Sequence, residues 1–249
     1  RGLSSNYGLG HIPGTWMESI QISKGTSSVV DGFESTTGQI NVEYKKPFRG
    51  EKLNVNVYSS DELKSEANVI ARTKITKNLS TSILTHGEYF TNTMDKNEDG
   101  FTEMPGVKQF NVMNRFWYEK PSGGEIQFAY SILDEHRFGG HHSYKGDGSK
   151  ISSSPYAIDI KTRKYQAFNK TGFIFDKPGT SLGIINNAYH INHNALYGVR
   201  NYSGTQNSWF TNIIYESIIK NTAHKYSAGA SFQYDKYDET LQNVSYDKE

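Results

Sequence analysis

One loop of the sequence has polar side chains at the spacing of a calcium site. Asp95, Asn97 and Asp99 stand at the first, third and fifth positions of such a loop, and a glycine follows at the sixth. The twelfth position is Gly106 instead of the bidentate glutamate that completes the coordination shell, and no helical pattern flanks the loop. The segment therefore predicts a solvated turn first, with a metal site at these three side chains as the alternative.

A second set of side chains with binding chemistry lies in or next to the longest polar stretch, at 138–158. It consists of Arg137, His141, His142 and Tyr144. Imidazole nitrogens ligate metals or replace a labile ligand of a metal chelate, and a guanidinium pairs with the carboxylates of a chelate. His190 and His193, on a later segment, are a further candidate pair. The alternative for all of them is a solvated polar residue with no special task, although loops on rigid scaffolds often carry function.

Composition narrows the classes of protein that can carry these residues. Only 35% of the 249 residues are hydrophobic, yet 13% are aromatic, with 17 Tyr and 13 Phe. That combination fits strands that expose an apolar side chain at every second position. A formal net charge of +1 gives no strong positive potential that would attract nucleic acid. The absence of Cys excludes disulfides, thiolate metal sites and a Cys nucleophile. With no GxSxG-type elbow either, we expect no enzyme, no cofactor and no nucleic-acid partner.

Much of the chain after Pro47 alternates between apolar and polar residues. The alternation is clearest at 53–57, 67–75, 126–132 and 226–234. In the third of these segments, Phe128 shares one face with the residues at every second position, and Gln127 lies on the other. A period of two predicts β-strands, and we count about nine of roughly 10–16 residues each. Because no apolar run reaches the ~18 residues of a membrane helix, any span of a membrane must be a strand.

The connections between the predicted strands differ in length in a regular way. Tight turns are predicted at 77–79, 120–124, 177–180 and 220–222, and longer polar stretches at 92–106, 138–158 and 196–206. Short and long connections alternate in transmembrane barrels because one rim faces the periplasm and the other faces the outside. The pattern favours an all-β transmembrane barrel whose Phe128 face meets lipid. A soluble β-rich adhesin or carbohydrate-binding module is the alternative of another class.

The three tryptophans allow two interpretations. Trp16, Trp117 and Trp209 could stack on sugars, but membrane barrels also carry aromatic girdles at both membrane interfaces. The girdle is the stronger interpretation, and Trp117 with Tyr118, next to a predicted short turn, fits the periplasmic one.

The first part of the chain has a different, turn-rich pattern. Residues 20–25 read Ile-Gln-Ile-Ser-Lys-Gly, residues 28–32 read Ser-Val-Val-Asp-Gly, and residues 38–42 read Gly-Gln-Ile-Asn-Val. These three spaced elements resemble the C-terminal half of the plug domain in TonB-dependent outer-membrane receptors. Gly25, Gly32 and Gly38 suit tight turns in a small sheet packed inside a pore. The resemblance implies the C-terminal part of a plug domain at 1–47 and the N-terminal part of a transmembrane β-barrel at 48–249.

The resemblance also implies a location, a function and partners. The chain would belong to a barrel of about 22 strands in the outer membrane of a Gram-negative bacterium, with residues 12–46 as a small mixed sheet inside or beside its wall. Such receptors import a scarce ligand with energy from a TonB-type inner-membrane complex, which contacts a segment ahead of the plug. Asp31, Phe33 and Glu34, on a plug turn, would join the 137–144 loop in contacting the ligand.

The segments 95–101 and 109–115 resemble the early barrel of receptors from Bacteroidetes, which are commonly cobalamin or siderophore receptors. The ligand implied is therefore a metal complex: an iron chelate, haem or a cobalamin-like molecule. An importer of glycans or peptides that works with a surface lipoprotein is the alternative within transport.

Overall fold

The computed structural model describes residues 2–4, 7–26, 38–121, 123–146, 156–242 and 244–248. Its strands are β1 (Met17–Lys24), β2 (Gly38–Tyr44), β3 (Leu53–Ser59), β4 (Ser65–Lys74), β5 (Leu79–Phe90), β6 (Gly106–Glu119), β7 (Gly124–Gly140), β8 (Ala157–Ile174), β9 (Ser181–Tyr197), β10 (Arg200–Ile218), β11 (Lys225–Leu241) and β12 (Val244–Lys248). Two 3₁₀ turns, Gly2–Ser4 and Gly14–Trp16, precede them. Within these ranges no helix has the length and apolar character needed to cross a membrane. The all-β fold predicted from the alternation is confirmed.

The strands form two separate antiparallel sheets. The strands β3 to β12 are neighbours in chain order in a ten-stranded sheet, and β1 pairs with β2 in a small one. Strand lengths in the large sheet increase from 7 residues in β3 to 18 in β8, then are 17 in β9 and 19 in β10, and β12 has five. The small sheet pairs Met17 with Tyr44 and Lys24 with Gly38. In the described residues β2 runs back along β1, so this pair is antiparallel. The mixed sheet expected over 12–46 stays a prediction.

Each long strand of the large sheet has one exposed apolar face, called here the outer face. Cross-strand pairs place Phe128 opposite Phe116, and Trp209 opposite Tyr234, on this face. Phe128 is 41% exposed, whereas Gln127, on the opposite inner face, is 8% exposed. The predicted register is confirmed, since a slip of one residue would exchange these two side chains between the faces.

The outer face is apolar along only part of each long strand. On β11 the residues at every second position from Tyr226 to Tyr234 are Tyr, Ala, Ala, Phe and Tyr, and the next outer residue is Lys236. On β8 the same change falls between Tyr165 and Arg163. This apolar band is therefore about nine residues long, which is the length that a tilted strand needs to cross a bilayer core.

The connections confirm the prediction at one rim of the sheet and correct it at the other. Tight turns join β4 to β5, β6 to β7, β8 to β9 and β10 to β11, as predicted. At the opposite rim the connections 91–105 and 141–156 are long, but Gly198 and Val199 alone join β9 to β10. The long loop predicted at 196–206 was wrong because most of that stretch is the first part of β10. Its polar residues mark the part of the strand beyond the apolar band.

The inner face of the large sheet contacts residues from 2–4, 7–26 and 38–46, called here the N-terminal segment. Trp16 is 1% exposed and lies in a buried cluster with Ile70 and Leu84. Its indole N–H donates a hydrogen bond to the carbonyl oxygen of Thr85 at 3.4 Å. The expectation that this segment lies beside the wall formed by later strands is therefore confirmed by its contacts.

The tryptophans separate into inner and outer residues. Trp117 pairs with Gln127 on the inner face and packs edge-to-face against Phe48, with ring centroids 5.0 Å apart. The girdle assignment was therefore wrong for Trp117, whereas Tyr118, predicted with it, is directed outward and is 36% exposed. Trp209 is exposed on the outer face, as a girdle residue would be.

Candidate functional site

The candidate site lies at the rim with the long connections, where residues 141–146 fold back over the end of β7. Phe138 is 1% exposed beneath this loop, and its ring lies edge-to-face with that of Tyr144 at 6.4 Å between centroids. The Tyr144 hydroxyl donates a 2.7 Å hydrogen bond to the carboxylate of Asp159 on β8. Tyr144 is buried, so it supports the loop from below and does not present its hydroxyl to a ligand, unlike the role predicted for it.

His141 and His142 lie on the loop that Tyr144 anchors. Their ring centroids are 4.6 Å apart, with an interplanar angle of 42°. His141 also forms a β-bridge with Phe101, whose ring lies edge-to-face with the imidazole at 6.1 Å. The two long connections therefore meet at His141. Two adjacent imidazoles beside an aromatic ring can ligate a metal or pack against a planar chelate.

Arg137 is directed to the inner face and away from the histidine pair. Its guanidinium donates a 2.8 Å hydrogen bond to the buried carboxylate of Glu135 and lies 5.1 Å from the ring of Tyr7. The ring of His11 lies on the other side of that carboxylate, at 3.5 Å. Arg137 therefore binds the N-terminal segment, and the structure does not group it with His141 as the sequence did.

The loop that begins at Asp95 is held by its own side chains. The carboxylate of Asp95 accepts hydrogen bonds from the backbone N–H groups of Asp99 and Gly100, at 3.1 and 2.8 Å. The amide oxygen of Asn97 accepts a further one from Asp99. In the part of the chain that the structure describes, no group of three or more His, Cys, Asp or Glu could hold a metal ion. The solvated turn predicted first accounts for these contacts, and calcium at Asp95, Asn97 and Asp99 stays a prediction.

His190 and His193 lie on opposite faces of β9. His190 shares a 2.7 Å hydrogen bond with the Asn207 side chain on the outer face. His193 is buried on the inner face and shares a 3.0 Å hydrogen bond with Thr162. A separation of three residues in a strand always places two side chains on different faces, so the spacing itself excludes a shared ligand here.

Polar side chains of the inner face bind the N-terminal segment by its backbone, and the sequence did not single them out. Asn111 donates a 2.7 Å hydrogen bond to the carbonyl oxygen of His11. Arg115, which is 7% exposed, donates from Nη1 to the carbonyl oxygens of Tyr44 and Lys45 at 3.0 and 2.7 Å. The alternation places such residues inward, but it does not say which backbone groups they bind.

Side-chain charges reinforce the end of β2. The ammonium of Lys46 lies 3.1 Å from the Glu43 carboxylate, and this hydrogen bond lowers the pKa of that carboxyl group. Burial raises the pKa of the Tyr44 hydroxyl, and the nearby Arg115 guanidinium opposes that rise. Lys46 also lies 5.8 Å from the ring of Trp117. Two cations therefore hold the end of β2 against the wall: Lys46 of the N-terminal segment, and Arg115 of the wall.

Two of the three predicted turn glycines have backbones that favour glycine. Gly25 follows β1 with a φ of +83° and has open space around a Cβ position. Gly38 begins β2 with a φ of +147°, and a Cβ there would lie 2.8 Å from the carbonyl oxygen of Ser23. The third glycine and the candidate ligand residues of its turn lie outside the described residues: Gly32, Asp31, Phe33 and Glu34.

Comparison with known proteins gives a match in fold. The chain resembles a solved structure of P. aeruginosa FpvA bound to a heterologous pyoverdine with iron, with a TM-score of 0.66 and 14% sequence identity. The match covers 89% of this chain and 32% of FpvA, so the chain spans about a third of that protein's length. No family model and no curated protein sequence matches the chain. What is shared is the fold, an antiparallel wall of the kind that forms TonB-dependent receptor barrels.

Proposed function

We propose that the chain is part of a ligand-gated active transporter in the outer membrane of a Gram-negative bacterium. Residues 48–249 would form the N-terminal part of a transmembrane barrel, and residues 1–47 the end of a plug in its lumen. The observation that carries this proposal is the contrast between the two faces of one sheet. Its outer face exposes the apolar band, while its inner face presents polar side chains that bind the N-terminal segment. Lipid on one side and a plugged lumen on the other satisfy both faces.

The same contrast weighs against the soluble β-module. Apolar side chains are exposed on the outer face from β3 to β11: Val57 on β3 is 72% exposed, Phe110 on β6 is 55% exposed and Phe232 on β11 is 55% exposed. Soluble monomers rarely expose contiguous apolar patches above a few hundred Å². A bilayer covers such a face without a protein partner.

We further propose that the ligand is a metal complex and that His141 and His142 contact it. The pair is held at the long-connection rim by a buried anchor, and imidazole is a ligand for iron and other transition metals. FpvA was solved with an iron–pyoverdine complex, which supports an iron chelate ahead of haem or a cobalamin-like molecule. A TonB-type complex would supply the energy, and the plug turn with Asp31, Phe33 and Glu34 would contact the ligand from inside.

Replacing both histidines in the full-length receptor tests this function. We expect His141→Ala with His142→Ala to weaken binding of the cognate metal complex about tenfold or more, which corresponds to ~1.4 kcal/mol. Binding would be measured on the purified receptor with a ferric siderophore, haem and cobalamin in turn. Two rim-loop substitutions change stability by about 0.5 kcal/mol each at most, so a binding loss is not a folding artefact.

The matched control is His224→Ala, which removes an exposed histidine from a turn at the opposite rim. This variant should bind as the wild type does. Unchanged affinity of the double variant for all three ligand classes would overturn the ligand assignment. A receptor that does not insert into outer membranes would overturn the transport function itself.

A further inference from the structure

The outer face carries a groove that lies apart from the candidate site at the rim. It has a volume of about 620 Å³ and crosses the sheet from β7 to β11. Its floor is formed by Ala167 and Ala188, which are directly paired on β8 and β9. Tyr130 on β7 pairs with the first alanine, and Trp209 on β10 pairs with the second. Two methyl groups between two large rings leave a slot that is open along the strand direction.

One end of the groove is amphipathic. Tyr165 and His190 are paired just beyond the alanines, with ring centroids 6.5 Å apart, and His190 bonds to Asn207. Tyr165 and His190 line the slot with aromatic rings, and each of them also carries a polar group, a hydroxyl or a ring nitrogen. They stand where the apolar band ends, so the groove runs from the apolar part of the wall toward its polar part.

Beyond this end two exposed cations lie on the same outer face of β8. Arg163 and Lys161 occupy the next two outward positions after Tyr165, toward the rim with the long connections. The Arg163 side chain is 57% exposed, and its contacts to Asp134 involve Nε and Nη2, which form one edge of the guanidinium. The remaining edge can donate to an anion.

We propose that this groove binds an anionic lipid with a phosphomonoester group next to its acyl chains, in the leaflet on the long-connection side. One acyl chain lies over Ala167 and Ala188 between Tyr130 and Trp209, and the phosphate pairs with Arg163 and Lys161. The order along β8, an apolar slot followed by cations, matches the order of chain and head group in such a lipid. The inference rests on the proposed function, because it needs the outer face to meet a bilayer.

Trp209 provides the probe for a test on the full-length receptor in phosphatidylcholine nanodiscs. Lipids with dibrominated acyl chains quench tryptophan on contact, and the difference from a Trp209→Phe variant isolates the signal of this residue. We expect half-maximal quenching at about a fivefold lower mole fraction of brominated phosphatidic acid than of brominated phosphatidylcholine. Equal quenching by both lipids would overturn the inference, since it describes ordinary contact with surrounding lipid.

Four variants sharpen the test. Ala188→Phe fills the slot and should abolish the preference, whereas the matched control Ala71→Phe, on the outer face of β4, should leave it unchanged. Arg163→Gln together with Lys161→Gln should make the two lipids equivalent. Asp134→Asn removes the anion that competes for Arg163 and should strengthen the preference.

A loss of preference in the Ala71 variant, or its persistence when both cations are neutralised, would also count against the groove. Failure of the receptor to insert into nanodiscs as a transmembrane protein contradicts the proposed function instead. The two proposals therefore fail in different measurements.

Discussion

The hydroxyl of Tyr144 donates a 2.7 Å hydrogen bond to the carboxylate of Asp159, and both residues are buried. The same carboxylate lies 3.0 Å from Nε2 of His136 on β7, so it joins the 141–146 loop to two strands. A buried polar contact beneath an exposed loop fixes where that loop sits. The position of His141 and His142 therefore depends on Tyr144, whose side chain is buried beneath the loop.

Tyr144→Phe should loosen this loop without disturbing the wall. The ring stays against Phe138, but a hydrogen bond to a charged group, which contributes about 1.5–3 kcal/mol, is lost. We expect faster amide hydrogen exchange in 141–146, unchanged exchange in the strands and weaker binding of the metal complex. Ser143→Ala is the control, because it removes a surface hydrogen bond to His141. Equal exchange in wild type and Tyr144→Phe would show that packing alone holds the loop.

Phe128→Arg tests which face of the wall meets lipid. Phe128 is exposed within the apolar band, and an Arg facing lipid near the bilayer midplane costs about 2–4 kcal/mol in a membrane barrel. Urea unfolding of the receptor refolded into lipid vesicles measures this cost. Phe128→Leu, which keeps the position apolar, should cost less than half as much. If both substitutions have the same small effect, Phe128 does not face lipid.

The sequence alone predicted most of the strands and the outward face of the alternating apolar residues around Phe128. The period of two is a local property, so Phe128 and Gln127 could be assigned to opposite faces from a few neighbouring residues. At 200–206 this signal is missing, because the residues there are mostly polar on both faces of β10. The stretch was interpreted as a loop because the strands of this wall continue beyond their apolar part.

The contacts of the candidate site were harder to predict, for a physical reason. Arg137 and His141 are close in the chain. The face to which a β-strand side chain points depends, however, on whether its position is odd or even, and not on how near it is in sequence to another candidate residue. Asn111 and Arg115 bind backbone carbonyls 100 and 71 residues away, and a carbonyl group has no sequence signature. The one usable signal was the presence of polar residues at inward positions of strands with an apolar outer face.

Arg115→Met should release the N-terminal segment from the wall near Tyr44. One guanidinium nitrogen serves two carbonyl oxygens, and a buried acceptor left without a donor costs about 1–3 kcal/mol. We expect limited proteolysis to cut the 38–46 region of the variant at protease concentrations that leave the wild type intact. Lys170→Met is the control, since it removes an exposed cation that lines the same cavity beside β2. Equal resistance of the Arg115 variant would mean that Trp16 and its apolar cluster suffice to hold the segment.

Alanine substitutions at three glycines should destabilise the β1–β2 sheet to different extents. Gly14 lies in a 3₁₀ turn with no atom within 4 Å of a Cβ position, so Gly14→Ala should stay within about 0.5 kcal/mol of the wild type. Gly25→Ala meets no neighbour either, but it forces a residue with a Cβ into a positive φ, which costs about 1–2 kcal/mol. Gly38→Ala has the positive φ and also a Cβ only 2.8 Å from the carbonyl oxygen of Ser23, in the strand with which it pairs. The largest loss of stability is therefore expected at Gly38, the intermediate one at Gly25 and the smallest at Gly14.

Hydrogen exchange of the amides in 17–24 and 38–44 measures all three glycine variants in the same assay. Similar effects at Gly25 and Gly38 would mean that the close approach to Ser23 relaxes without loss, and a Gly38 variant as stable as the Gly14 variant would contradict the β1–β2 pairing at this end.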